Sequence, residues 1–492
     1  MGAALTALSI LNAVSGQTVD AADWSWVEIH PSRKLEWHNC FDCAGQCEGR
    51  LDCAPLDVPM DWSNPSDNQR VVLAITRLPA VNKTDYRGPV IMNPGASSSC
   101  FGASTPRYQC FDRPSDKAAW DAQDPGTIDA DRFLSLAPLL YARAKAYSSL
   151  CERQVQKTGL AQNSGTAYIA RDMLEIVNKG DPAFPDLKFW GFSYGTIIGG
   201  VFAAMFPDRV ERILSDANAS YLEWFRGRGT AVSRFGRGSH GRFLLLLPQS
   251  GTLKREPLVV KPNRCTGPAV PELITYAKLK MHLREALYQP YYGWPYFATI
   301  LAALERGDGR PFYAFYHPTP PAPAESCEAP VSPFEPLEGM TPNTPDAYPF
   351  MRCADRPQGS NNTLEEFVQV ARDLMDWSPS VGAANLDNIL RCVGRTAEPN
   401  YSYNGDFKAE TKHPVLFINN VADPITPIVS AHTNAAGFPV SVVLQQNSYG
   451  HTFLAAPSTC TERYVFEYFQ DGTLPEKGTE CEANSEPFWP VV

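Results

Sequence analysis

The sharpest change of hydrophobic pattern lies between Leu187 and Pro207, in LKFWGFSYGTIIGGVFAAMFP. A short apolar run, Leu187 to Trp190, meets Gly191-Phe192-Ser193-Tyr194-Gly195, and small and apolar residues follow until Pro207. This pattern predicts a strand, a sharp turn and a helix. Other apolar runs predict strands in VERILSD before Ala217, at Val415 to Ile418, and in SVVLQQN before Tyr449. PELITYAKLKMHLREALY (271–288) and TLEEFVQVARDLMDW (363–377) read as helical pieces between them. No internal repeat is present. The expected fold class is α/β, a mostly parallel sheet with helices on both faces.

The turn at 191–195 carries chemistry. A serine hydroxyl is a poor nucleophile unless it is exposed at a tight turn beside a general base. Gly191 and Gly195 let strand and helix approach closely around Ser193, and the N–H of Tyr194 at the helix start can face the carbonyl oxygen of a bound substrate. Gly-x-Ser-x-Gly alone is a weak signal; the flanking strand and helix make it specific. Such a turn calls for an acid and then a histidine later in the chain. Asp423 follows the strand in HPVLFINNVADPITP, and His451 follows the next strand beside Gly450. Asp423 would orient the imidazole, and His451 would take the serine proton and return it to a leaving group. Asp216, ending VERILSD, is the rival acid. His432 falls in a helical stretch, and His413 precedes its strand, at the wrong end of the sheet.

Spacing then shapes the architecture. Roughly 230 residues separate Ser193 from Asp423, whereas one or two βα units need about 60 to 100. The excess predicts a cap inserted at 221–410, with the sheet-bearing core at 21–220 and 411–492. The cap includes the proline-rich run HPTPPAPAESCEAPVSPFEPLEG and would select substrates and exclude water. A length of 492 residues, too great for one ordinary core, agrees with this division.

Composition narrows the setting. A net charge of -10 argues against nucleic acid as a partner, and GRFLLLLPQ is far shorter than the roughly 20 apolar residues a membrane span needs. Residues 1–20 resemble a secretory signal without its usual positive start. Thirteen cysteines, four of them clustered at Cys40, Cys43, Cys47 and Cys53, suit disulfides in an oxidising compartment. Zinc is the alternative for the cluster, but no histidine pair accompanies it at finger spacing. The odd count leaves a thiol free or paired between chains. Sequons stand at Asn82, Asn218, Asn361 and Asn400. Together these features point to a secreted, disulfide-bonded glycoprotein. No cofactor and no metal are called for.

Taken together, CAPLDVPMDWSNP, NPG, GASTPRYQCF, FWGFSYGTIIGGVFAAMFPDRVERILSD, and PVLFINNVADPITP through YGHTFLAAPSTC resemble the tripeptidyl aminopeptidase-like branch of the α/β-hydrolases, which includes proline-preferring aminopeptidases. The resemblance covers most of residues 35–220 and 345–492. It implies the α/β-hydrolase fold with a helical cap, and a serine exopeptidase that releases short peptides or single residues from substrates with a free N-terminus. It implies Ser193 as nucleophile, Asp423 as acid and His451 as base. It also implies disulfides Cys460–Cys481 and Cys110–Cys151. A cap carboxylate would hold the substrate ammonium; Glu305 is a candidate, with a plain helix-surface charge as the alternative.

Two stretches depart from that pattern. In the family the strand is followed by Asn-Pro-Gly-Gly-Pro-Gly, whose backbone donates the first oxyanion hydrogen bond; here Asn93-Pro94-Gly95 runs into Ala96, Ser97, Ser98, Ser99 and Cys100. Ala96 and Tyr194 are the expected oxyanion donors. The chain then passes almost directly to FGASTPRYQC, which in the family lies beyond a helix and another strand, so the sheet is expected to lack one strand–helix unit after residue 95, roughly 25 to 35 residues. An excised coding segment, a variant loop built from ASSSC and an inactive relative are the three explanations. Secondly, residues 224–255 hold six arginines, one lysine and no acid, and no functional residue is placed there. The alternatives to an exopeptidase are an esterase-type acyl hydrolase using the same triad and a catalytically impaired hydrolase-like protein.

Overall fold

The computed structural model describes residues 26–42, 50–95, 103–124, 130–226, 253, 256–261, 271–316, 346–356, 363–377, 382–386 and 392–487. Its strands are β1 (His38–Asp42), β2 (Arg50–Pro59), β3 (Arg70–Arg77), β4 (Ile91–Asn93), β5 (Leu187–Phe192), β6 (Val210–Asp216), β7 (Leu258–Val260), β8 (Glu272–Ile274), β9 (Leu416–Ala422), β10 (Val442–Tyr449) and β11 (Glu480–Glu482). Its helices are α1 (Pro114–Asp121), α2 (Ala130–Thr158), α3 (Thr166–Lys179), α4 (Tyr194–Met205), α5 (Tyr221–Phe225), α6 (Tyr276–Tyr288), α7 (Pro290–Glu305), α8 (Arg310–Tyr316), α9 (Ala347–Ala354), α10 (Leu364–Trp377), α11 (Ile428–Ala435) and α12 (Thr459–Asp471).

Six strands form a parallel sheet in the order β11-β10-β9-β6-β5-β4. Side chains alternate between its faces. Phe189, Ile213 and Phe417 meet α3, α4 and α11 through Met173, Ile197, Val201 and Ala431. Leu214, Leu416, Ile418 and Leu444 meet α12 through Val465 and Tyr468. Burial on both faces explains why β5 and β9 read as unbroken apolar runs rather than alternating ones. Helix α4 is apolar on every side because it lies within the core, ten of its residues being buried. The sheet and its helices form the expected α/β-hydrolase fold.

Strands β6 and β9 are direct neighbours, yet α5 to α10 and the hairpin β7–β8 lie between them in the chain. Part of this segment has its own core, in which Leu279, Leu283, Trp294, Phe297 and Phe312 join α6, α7 and α8 to the hairpin residues Val260 and Ile274. Helix α10 packs on α2, which precedes the turn at Ser193: Phe133, Ala137 and Leu140 meet Phe367, Ala371 and Leu374. The 29-residue α2 and the short α1 were not read from the sequence. Most of the arginine-rich stretch, residues 1–20 and the proline-rich run lie outside the described residues.

Four disulfides are present among the described residues: Cys40–Cys53, Cys110–Cys151, Cys353–Cys392 and Cys460–Cys481. Cys40 and Cys53 are thus bonded to each other rather than offered to zinc, while Cys43 and Cys47 lie outside the described residues. The sequon at Asn218 is corrected. Its side chain is fully buried and its amide donates to the carbonyls of Ser215 and Ile418, so no glycan fits there in the folded chain. Asn82 is exposed, and Asn361 lies outside the described residues. Among the described residues no helix is long and apolar enough to cross a membrane.

Strands β1, β2 and β3 form a separate antiparallel sheet, and β4 ends the parallel one. Among the described residues, the second edge of β3 receives only Thr105, paired with Val72, and the Ser104 hydroxyl, which accepts from Ala74 N–H. On β4, Met92 remains 54% exposed. An apolar side chain on an unpaired edge is what a protein ordinarily covers. We expect the transcript to encode roughly 25 to 35 further residues between Gly95 and Phe101, enough for one strand and one helix. Sequencing it tests this, and an uninterrupted message for Gly95-Ala96-Ser97 through Phe101 would show that this chain does without the unit.

Candidate active site

The turn at Ser193 is strained by design of its surroundings. Ser193 has φ 54° and ψ -115°, a conformation side chains rarely adopt. Its N–H donates to the carbonyl of Asp216 at 3.0 Å, and its own carbonyl accepts from Thr196 N–H at 2.9 Å. Glycine is obligatory on both sides. A Cβ on Gly191 would stand 2.4 Å from the carbonyl oxygen of Gly195, and one on Gly195 would stand 2.6 Å from that of Asn93. Strand and helix therefore close on each other and leave Ser193 half-buried at the sheet's C-terminal edge. Tyr194 begins α4, where the first N–H groups have no intrahelical partner. Gly95, with φ 100°, brings the loop after β4 to Ser193: a Cβ there would lie 3.0 Å from the serine Cβ. Its N–H donates to the Asn93 side chain at 3.0 Å. Ala96, the other expected oxyanion donor, lies outside the described residues.

Asp423 and His451 are brought together. The Nδ1 of His451 lies 2.9 Å from Oδ2 of Asp423 and 3.1 Å from Oδ1. The carboxylate also accepts from the N–H groups of Ile425 (2.8 Å) and Thr426 (2.9 Å) and from the Thr426 hydroxyl (2.7 Å). A fully buried carboxylate that accepts from this many donors is held in one orientation, and it orients the imidazole through Nδ1. The Nε2 of His451 is buried and has no hydrogen-bond partner among the described residues. That nitrogen is the basic one. The histidine turn is anchored at both ends, since Asn420 donates to the carbonyls of Gly450 and Thr452, and Asp216 accepts from Phe453 N–H at 3.1 Å.

Residues 378–481, which hold both Asp423 and His451, match the family described as TAP-like protein. Over 91% of both chains, the sequence is 25% identical to the serine protease Hip1 of Mycobacterium tuberculosis. It is also 25% identical to the tripeptidyl aminopeptidase of Streptomyces coelicolor, over 37% of this chain and 38% of that one. Carboxylesterase B of Mycobacterium tuberculosis is 23% identical, over 90% of this chain and 89% of its own. The chain is a serine hydrolase of the α/β-hydrolase fold. Its C-terminal part is TAP-like.

Other candidates of the hydrolase fall away from this pair. His432 is exposed on α11, and His413 stands ahead of β9. Glu305 is exposed at the end of α7. Two further groups were not read from the sequence. Tyr288, the last residue of α6, accepts the His451 N–H with its carbonyl at 2.8 Å and sets its ring edge-on to the imidazole at 5.1 Å. Asp355, after α9, accepts from the N–H of Thr166 (2.8 Å), the Thr166 hydroxyl and the Trp224 indole (2.8 Å). It thereby caps α3, whose own N-cap is Gly165 and offers no side chain. Residues of such different sequence position leave no local pattern.

Asp216 is a second buried carboxyl beside the pair. Burial pushes it well above the usual carboxylate range, and repulsion from Asp423 adds to this, while the amides of Phe453 and Ala217 act in the opposite sense. Its Oδ2 finds no partner among the described residues. A neutral acid that holds the histidine turn through one oxygen fits these surroundings. In the unfolded chain Asp216 ionises near pH 4, whereas the folded chain keeps the proton, so stability falls as pH rises above that value. Asp216→Asn removes this loss. It should melt higher than the parent at about pH 8, with the difference shrinking toward about pH 4 in thermal denaturation; a difference independent of pH would show an ionised Asp216.

Proposed function

We propose that the hydrolase is a serine exopeptidase that releases short peptides or single residues from substrates with a free N-terminus, using Ser193, Asp423 and His451. The observation that carries this reading is the Asp423–His451 pair, whose Nε2 has no partner among the described residues, with Asp216 joining the histidine loop to the strained Ser193 turn. Ser193 Oγ adds to the scissile carbonyl while His451 Nε2 takes the hydroxyl proton. The tetrahedral oxyanion is held by the N–H of Tyr194, with Ala96 N–H as second donor. Collapse breaks the C–N bond, and the departing amine takes the proton from His451. Water then repeats the sequence on the acyl-enzyme and releases the acyl peptide. Asp423 stays ionised and stabilises the imidazolium.

The names of two relatives, a serine protease and a tripeptidyl aminopeptidase, support peptides as substrates. The four disulfides support an extracellular site of action. The similarity to carboxylesterase B supports a second reading, acyl-ester hydrolysis by the same three residues, because this fold and triad do not dictate the leaving group.

Cleavage of a tripeptide with a chromogenic C-terminal amide, compared with an N-acetylated twin and a nitrophenyl ester, separates these readings. A peptidase of the proposed kind cleaves the free amine and spares the acetylated peptide; cleavage of the ester alone supports the esterase. Ser193→Ala and His451→Ala should abolish both labelling by a fluorophosphonate and turnover, and Asp423→Asn should lower kcat by about 10⁴-fold. If Ala96 fails as a donor, turnover falls by about 100- to 1000-fold while labelling of Ser193 persists. Absence of any Ser193-dependent labelling in the folded parent would reject the enzyme.

A further inference from the structure

Helix α9 lies across Tyr194, the residue that follows Ser193. The Met351 sulfur is 3.9 Å from the Tyr194 hydroxyl, and the Tyr348 and Tyr194 rings meet edge-on at 5.7 Å. The Tyr194 hydroxyl also meets that of Thr166 at 2.9 Å, and Thr166 binds Asp355. Thus the residues just past α9 belong to the wall beside the serine turn. Asp355 itself is fully engaged by Thr166 and Trp224.

Arg356, the next residue, is not engaged. It is 8% exposed, and its Nε and Nη2 are buried without a hydrogen-bond partner among the described residues. Among the described residues no carboxylate offsets it: burial, then repulsion from Arg352, lowers its pKa to about 9. Arg352, one turn earlier, sets its guanidinium over the Trp224 ring at 5.4 Å. A buried cation without an anion is costly. Other buried or half-buried arginines of the core are tied to the protein: Arg395 donates to the carbonyl of Phe350, and Arg212 to that of Tyr468. Arg352 and Arg356 are like charges at the end of the helix that packs on Tyr194, and Arg356 is buried with two donors unpaired among the described residues, as a site for an external anion would be.

We propose that Arg356, aided by Arg352, is a subsite for a carboxylate of the substrate. The planar guanidinium offers two parallel donors to a carboxylate, and the buried setting strengthens both. The carboxylate is either the side chain of an acidic residue or the free C-terminus of a short peptide. A C-terminal carboxylate would limit the enzyme to peptides of a length that spans from Ser193 to Arg356. The assignment of a peptide substrate rests on the function proposed above; the presence of the anion subsite does not.

The test is calorimetric binding to the full chain carrying Ser193→Ala, so that no cleavage occurs. Four probes are used: Ala-Pro-Ala as free acid and as amide, and Ala-Pro-Glu amide against Ala-Pro-Gln amide. At least one carboxylate probe should bind about tenfold or more tightly than its neutral twin, and Arg356→Met should erase that preference. Which pair shows it identifies the source of the carboxylate. Equal affinity within each pair, no binding of any probe, or a preference that survives Arg356→Met overturns the proposal. Arg356→Met should melt no lower than the parent, since it removes a buried unpaired charge. If it fails to fold, Arg356→Lys decides, because it keeps the charge without the planar fork and should lose most of the preference; full retention overturns the subsite. Carboxylate preference in the Ser193→Ala chain together with no peptide cleavage by the parent would reject the peptidase reading and leave the subsite standing.

Discussion

The closeness of β5 and α4 is the constraint on which the site depends. Only glycine at 191 and 195 lets the strand turn back onto the helix within van der Waals distance, and that closure forces Ser193 into its positive-φ conformation. The strain is held by hydrogen bonds from neighbouring strands rather than by the turn itself: Ser193 N–H is bound to the end of β6. The turn can therefore remain half-exposed while the residues around it are buried.

The same strand end reaches the histidine. Asp216 offers its carbonyl to Ser193 and its carboxyl oxygen to Phe453, so one residue connects the serine turn to the loop that carries His451. Asp423 and Thr426 hold the imidazole from one side, and Tyr288 of the inserted segment holds it from the other. The insertion thus does more than cover the sheet. It supplies a backbone carbonyl to His451, and through Asp355 it caps α3 and touches Tyr194 by way of Thr166.

The β1–β3 sheet stands apart from the parallel sheet. β4 pairs with β5 through Ile91 and Asn93, so the serine turn keeps its neighbour on that side. At the far edge β3 and β4 share no neighbouring strand among the described residues, and Met92 is exposed. The geometry of the serine turn and the pairing at the sheet edge are thus separable problems.

The strained turn at Ser193 and the pairing of Asp423 with His451 were legible because each residue belongs to a short local pattern: an apolar strand, then a turn with a glycine or proline at hand. The disulfides Cys110–Cys151 and Cys460–Cys481 were legible only through family resemblance, and Cys353–Cys392 was not, since spacing does not dictate pairing. The sequon at Asn218 misled because a sequon records residue type, whereas burial depends on Ile418 and Asn419 from a distant strand. Helix α2 was missed although it is the longest among the described residues, its polar residues being mixed among the apolar ones that meet α10. By itself the amino-acid order determined the strand–turn–helix at Ser193 and the placing of Asp423 and His451 after successive strands, because those follow from backbone preferences within a few residues. Tertiary structure alone decided the burial of Asp216, which raises its pKa, the capping by Asp355 and the lack of a partner for Arg356 among the described residues, because the surroundings of a buried group are set by whatever the fold places around it, here groups as far as 237 residues away.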